Sequence, residues 1–324
     1  MEEYPHLPDY ADLFIAHLKS KGRRRSTIKR YYYDLLDFFA WVRVIRKKDD
    51  ISVIQRLDAS ILEDYFLFLT EQREYKTATS KRVFTVIKSL FHFLHANRMI
   101  TYNPFAEIEN KLKEDTYFTE EDFISEEEFQ ILFRTLSSYE GLTEKQQKYR
   151  HLLIKRNEAI VSLLYHYGLT LQEITNIEMR HVHFTQQKLT VVNNKETRII
   201  PLDDTMQRCM YDYKEDIPEA IRPRTYSSDR FFIAFDYQRG TFRFDYGNYE
   251  PKPLTVIAIQ KMLRQEIQRS GLRKGISSQH LRRTSILNLL KEGKEEEEVQ
   301  LWFGLKSQLT LHRYETYLEQ VLKV

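Results

Sequence analysis

Residues 277–293 read SSQHLRRTSILNLLKEG, and residues 297–314 read EEVQLWFGLKSQLTLHRY. Only Gly293 and Gly304 interrupt the helical character of this region, and no proline falls in it. Glu295 to Glu298 suit the solvated, acidic first turn of a helix starting near 294, where carboxylates complement the positive end of the helix dipole. Tyr314 falls on the last helix with Tyr317 and Leu318 beside it. In a chain with 21 tyrosines, packing alone accounts for a tyrosine at such a place.

Working outward, 9 glycines and 8 prolines in 324 residues, together with long stretches of 3.6-residue hydrophobic period, predict a mainly helical protein. Residues 8–20 place Tyr10, Leu13, Phe14, His17 and Leu18 on one face. Residues 26–45 do the same with Ile28, Tyr32, Leu35, Leu36, Phe39 and Val42, with Ser26 as the expected N-cap. Helices over about 58–74 and 77–97 follow, the second started by Thr77 or Thr79 and ended before Asn103-Pro104. These four make a helical N-terminal domain, residues 1–110.

The charged stretch 111–124 reads as a linker, and residues 125–324 as a second domain. Ser125-Glu126-Glu127-Glu128 opens its first helix as a capping box, and a helix over 152–167 ends at Gly168, a left-handed C-cap position. Residues 188–202, KLTVVNNKETRIIPL, are two β-branched runs joined by Asn193-Asn194, a hairpin pattern. A second hairpin is expected over 231–249, its alternating aromatics serving packing. The fold class is therefore mainly α with a small antiparallel β component.

The net charge of +3 and pI near 8.6 give only a weak whole-molecule attraction for nucleic acid. Local clustering is stronger: Lys21, Arg23, Arg24, Arg25, Lys29 and Arg30 sit where a bundle helix begins, and Lys76, Lys81, Arg82 and Lys88 line the fourth helix. The single cysteine, Cys209, offers no disulfide framework and no Cys-rich zinc module. His181 and His183 lack a ligand pattern around them, and no glycine-rich phosphate loop occurs, so neither metal nor cofactor is expected. Without a leader or an apolar run long enough to span a bilayer, a soluble cytoplasmic protein is expected.

Four segments resemble tyrosine recombinases of the phage integrase family. SSQHLRRTSILNLLKEG is similar to the family pattern S-P-H-x-L-R-H-T-x-A-x-x-L-L-x-x-G, and EEVQLWFGLKSQLTLHRY to I-Q-x-L-L-G-H-S-S-x-x-T-T-x-x-Y. Upstream, LLYHYGLTLQEITNIEMRHVHF (163–184) resembles Y-G-L-R-x-S-E-L-x-x-L-x-W-x-D-I, and TVVNNKETRIIPL (190–202) the hairpin ending in R-x-V-P-L. The resemblance implies a two-domain architecture: a helical core-binding domain and a catalytic-type domain that together clamp double-stranded DNA.

It also implies a chemistry. Family enzymes attack a DNA phosphodiester with a tyrosine and form a 3′-phosphotyrosyl intermediate, using two arginines on the phosphate, a hairpin lysine as general acid and two histidine positions. Carried over, the tyrosine is Tyr314 and the second arginine Arg282. The first arginine falls on Thr170, the lysine on Asn193, and the histidines on Gln279 and Leu305. Lys195, two residues past Asn193, would replace the lysine if the turn were re-registered. Reading His280 and Arg283 as the histidine–arginine pair instead requires a rotation of about 100° on the helix and loses the register of Leu281 and Leu289-Leu290.

A neutral hydroxyl does not replace a bidentate guanidinium on phosphate. The expectation from sequence is thus a DNA-binding protein on a recombinase scaffold that is not an enzyme: a sequence-specific regulator, most naturally a phage or mobile-element repressor acting in lysogeny, its catalytic positions vestigial. Its DNA contacts would come from Arg23, Arg24, Arg25, Lys29, Arg30, Lys81, Arg82, Lys88 and Arg282, with self-association on DNA and no membrane or small-molecule substrate. The alternatives are a slow recombinase using Tyr314 and an accessory protein that contacts a recombinase.

Overall fold

The computed structural model describes residues 6–108, 117–193 and 196–322. The chain divides into two compact units, Met1–Asp115 and Thr116–Val324.

The first unit is helical: α1 (Asp9–Ser20), α2 (Arg25–Arg46), the short α3 (Ile51–Ile54), α4 (Ala59–Leu67) continuing through a π-turn to Gln72, α5 (Thr77–Ala96) and the short α6 (Phe105–Ile108). Aromatic rings dominate its core, with Phe38 between Phe39, Tyr65 and Phe91. The buried face of α1 is Ala11, Phe14, Ile15 and Leu18, while Leu13 is 52% exposed; the stripe expected from sequence is rotated, because Ala11 and Ile15 complete a tighter i, i+3, i+4, i+7 set. Ser26 is not the cap of α2. That helix begins one residue earlier, at Arg25, with Arg24 extended at the N-cap position and no side-chain cap. Asp50 and Asp58 cap α3 and α4 through their carboxylates instead.

In the second unit, α7 (Glu126–Ser137) starts at the Ser125/Glu128 capping box, and α8 (Glu144–Tyr149), α9 (Ile154–Tyr165) and α10 (Leu171–Asn176) follow. A three-stranded antiparallel sheet, ordered β1 (Val182–His183), β2 (Lys188–Asn193), β3 (Glu196–Pro201), leads to α11 (Asp204–Glu215). Asn193 pairs with Glu196, so it belongs to the strand ladder; the rest of the expected Asn193-Asn194 turn lies outside the described residues. The aromatic segment forms two short ribbons, β4 (Phe235–Asp236) with β5 (Thr241–Phe242), and β6 (Phe244–Asp245) with β7 (Glu250–Pro251). Helices α12 (Val256–Arg269), α13 (Ser278–Lys291), α14 (Glu296–Phe303) and α15 (His312–Leu322) complete the unit.

Two apolar cores hold this unit. The large one spans α7, α9, α11, α12 and the sheet. The small one gathers Phe118, Phe123, Ile286, Leu287, Val299, Phe303, Leu311 and Tyr314. Part of the stretch expected to be a linker therefore packs in the second unit: Phe118 and Phe123 are buried in the small core against α13 and α15, and Ile124 in the large one, because apolar side chains are spaced among its charges. Arg273 fixes the same stretch by donating to the carbonyls of Glu121 and Phe123.

Candidate active site

The small core sets Tyr314 in place. Its ring lies 4.7 Å from that of Phe118 and 6.2 Å from that of Phe123, and the residue is only 4% exposed. Beside it opens a cavity of about 400 Å³ lined by Gln279, Arg282, Arg283, Leu305, Arg313 and Tyr314, among others. Three of these are arginines. The α13 register brings the adjacent Arg282 and Arg283 to one rim, since both flank the buried Leu281 and Thr284; Arg313, next to the tyrosine, stacks on Phe118 with its guanidinium carbon 4.1 Å from the ring centre. Arg283 also stacks on that ring, at 5.1 Å, and donates to Asp122 Oδ1 at 2.5 Å. Burial pushes the Tyr314 phenol up to about 12, while Arg283, Arg282 and Arg313 pull the other way by favouring the phenolate.

Arg282 is mostly buried. It donates to the carbonyl of Gly168 and, at 2.9 Å, to that of Phe303, and its guanidinium faces the Phe303 ring. It thereby ties the loop after α9 to the end of α14. The close fit there also explains Gly168: at φ +59°, a Cβ on it would lie 2.0 Å from Phe303 Cε1.

Behind Arg282 stands Glu173, 3% exposed. Thr170 caps α10, and its N–H and hydroxyl donate to Glu173 Oε2 at 2.7 and 2.8 Å. Arg198 of β3 donates to Oε1 at 2.6 Å, Asn193 Nδ2 lies 3.5 Å from the same oxygen, and Arg282 is 3.8 Å from Oε2. Burial pushes this carboxyl up, but Arg198, the Thr170 amide and Arg282 outweigh it, so the net shift is downward.

The structure thus joins Tyr314, Arg282, Gln279 and Leu305 around one cavity, whereas Thr170 and Asn193 converge on Glu173. Lys195 lies outside the described residues. Sequence reasoning passed over Glu173, Arg198 and Arg313, and weighed Arg283 only in a shifted register with His280 that it rejected. Arg283 was visible beside Arg282, but its joint access to the cavity depends on the Phe118 ring, which no local pattern announces. His280 serves the capping box of Ser277 through Nδ1.

Of the basic residues in the first unit, Arg23, Arg24, Arg25, Lys29 and Arg30 are exposed. Arg82 departs from the expected outward strip: it turns inward to pair with Asp34, which is 8% exposed, because a carboxylate buried among apolar side chains requires a cation. Lys81 and Lys88 are half-buried on the same helix. Among the described residues no three His, Cys, Asp or Glu side chains are grouped to hold a metal ion, and no helix is long and apolar enough to cross a membrane.

Residues 124–320 match the phage integrase family, and residues 11–98 match the phage integrase N-terminal SAM-like domain. Tyrosine recombinase XerC of Pediococcus pentosaceus is 24% identical over 291 residues, covering 89% of this chain and 86% of the relative. Tyrosine recombinase XerD of Listeria monocytogenes is 24% identical over 285 residues, covering 88% and 85%. Among solved structures, the Tn1549 transposon integrase in complex with circular intermediate DNA matches with a TM-score of 0.69 and 15% identity over 94% of both chains. The XerH site-specific recombinase bound to its difH substrate matches with a TM-score of 0.60 and 16% identity over 92% of this chain and 79% of that one. At such identities the structures establish the fold. Relatives that carry an enzyme's name along nearly their whole length overturn the expectation, drawn from four replaced positions, that the chain is not an enzyme.

Proposed function

The chain belongs to the phage integrase family, and on that premise we propose that it is a site-specific recombinase of double-stranded DNA with Tyr314 as nucleophile. The observation that carries this reading is the cavity where Tyr314 meets Arg282, Arg283 and Arg313.

The phenol oxygen attacks phosphorus, the bond to the 5′ oxygen breaks, and a 3′-phosphotyrosyl linkage forms. The phenolic proton leaves and the departing 5′ oxygen takes one up; attack by a 5′-hydroxyl reverses the sequence on a second strand. Negative charge builds on the non-bridging oxygens, and preorganised cations are the groups that stabilise it. Arg283 and Arg313 stand at the rim to meet a phosphate, while Arg282, held by two carbonyls, contributes its charge from below. Arginine suits this work because its planar fork matches phosphate geometry.

Four family positions hold Thr170, Asn193, Gln279 and Leu305, so turnover on this reading is slow. The same observation favours a regulatory consequence: a slow enzyme spends most of its bound time occupying its site, where it obstructs transcription. Exposed Arg23, Arg24, Arg25, Lys29 and Arg30 supply phosphate contacts that position the duplex without specifying sequence.

The test is strand exchange between two differently labelled duplexes carrying a site selected by the protein from a random pool. Recombinant product with the wild-type protein and none with Tyr314→Phe supports the reading. Equal product from both proteins refutes Tyr314 as nucleophile.

A further inference from the structure

Away from Tyr314, a cavity of about 850 Å³ opens between α8, α12 and the β4–β5 ribbon. Seven basic side chains and one carboxylate, Glu266, are among the residues lining it. That carboxylate is already engaged: Arg150 donates to its two oxygens at 2.6 and 3.0 Å, and Arg269 pairs with it as well.

The unusual member is Arg156. The residue is 94% buried, being 6% exposed, yet its guanidinium meets only a neutral partner: Nε and Nη2 donate to Asn157 Oδ1 at 3.3 and 3.2 Å. Burial pushes the Arg156 guanidinium below its usual range, against Tyr213 and Tyr237, and Arg150 adds a little in the same downward direction. A buried cation without a counter-charge is costly unless something supplies one. Above it the rim carries Arg243, Lys252 and Lys261, and Phe235, Tyr237 and Met262 form an apolar wall. The arrangement combines a deep fixed cation, exposed cations at the mouth, of which Arg243 lies 3.5 Å from Asp236, and a face for a ring, within the size range of small-ligand sites.

We propose that this cavity binds a small organic phosphate, its anionic group on Arg156 and its ring against Phe235 and Tyr237. A duplex is a poor occupant, because its backbone meets exposed groups and Arg156 lies at the bottom of a concavity. The site uses no residue of the Tyr314 cavity.

Full-length protein is titrated calorimetrically with adenosine monophosphate and with inorganic phosphate, against sodium chloride at matched ionic strength. Saturable binding of adenosine monophosphate, weaker binding of phosphate, and at least a tenfold loss of both in Arg156→Gln are expected. Since a core substitution risks the fold, the rim variant Arg243→Ala/Lys261→Ala is tested in parallel and should weaken both ligands while leaving the melting temperature unchanged. Absence of saturable heat in the wild-type protein, or wild-type affinity in both variants, overturns the proposal. So does a loss of duplex affinity in Arg156→Gln when free phosphates do not bind, which would assign the cavity to the DNA backbone.

Discussion

On the proposed reading Tyr314 serves as nucleophile from a phenol that burial pushes up to about 12. At neutral pH it is protonated, so if phenolate is the attacking species, covalent adduct formation should rise about tenfold per pH unit between 7 and 9 and level off only near its pKa. Single-turnover rates across that range check this, and a flat profile removes phenolate formation from the rate-limiting step. Arg283→Ala should lower the same rate by about 10²–10³, the usual loss for one transition-state donor, with duplex affinity nearly unchanged. The Thr170→Arg change is a converse test: it returns a cation near Arg282 at the expense of an N-cap worth about 0.5–2 kcal/mol, and the adduct rate should rise. The family resemblance put Tyr314, Arg282, Gln279 and Leu305 forward together, and the structure lines one cavity with them. The grouping of Arg283 and Arg313 was not visible, because two cations far apart in sequence are brought together by stacking on Phe118.

Among the elements, the most consequential pairing joins α10 to β3. Glu173 accepts from Arg198 Nη1 at 2.6 Å inside the second unit, and among the described residues Arg198 Nη2 and Nε have no hydrogen-bond partner. Removing the carboxylate strands the arginine, so Glu173→Gln should cost about 3–5 kcal/mol in chemical denaturation, the usual penalty for breaking a buried pair from one side. Because the Glu173 carboxyl is held below its ordinary 4.5, its contribution is present above that pH and is lost as pH falls through the lowered value. The wild-type second unit should therefore lose more stability on acidification below about 4.5 than the Gln variant does. Gly168→Ala, meeting both the left-handed backbone and the Phe303 ring, should destabilise by at least about 2 kcal/mol. Helix starts with a serine or threonine capping box, such as Ser125, were readable from sequence; the start of α2 was not, since Arg24 and Arg25 open it without a side-chain cap. The hairpin was readable as two strands, but the place of Asn193 in the ladder, paired with Glu196, was set by pairing across the strands, which composition does not encode.

For the whole molecule, the mainly helical class with small antiparallel sheets followed from period and from few glycines and prolines. The recombinase family followed from its motifs, but the expectation that the chain is not an enzyme, drawn from four replaced positions, does not hold against relatives that carry an enzyme's name along most of its length. If the exposed arginines at the start of α2 contact the DNA backbone, Arg24→Glu with Arg25→Glu should weaken binding to every duplex and reduce the slope of log affinity against log salt by roughly 2. Unchanged binding in mobility-shift titrations removes this segment from the interface. The central claim is tested most directly by trapping the protein on a nicked suicide duplex carrying its selected site, then mapping the covalent adduct by mass spectrometry. The account predicts one nucleotide linked through a 3′-phosphate to Tyr314, absent from Tyr314→Phe; a duplex bound at its site without any adduct, or one linked to another residue, would contradict it.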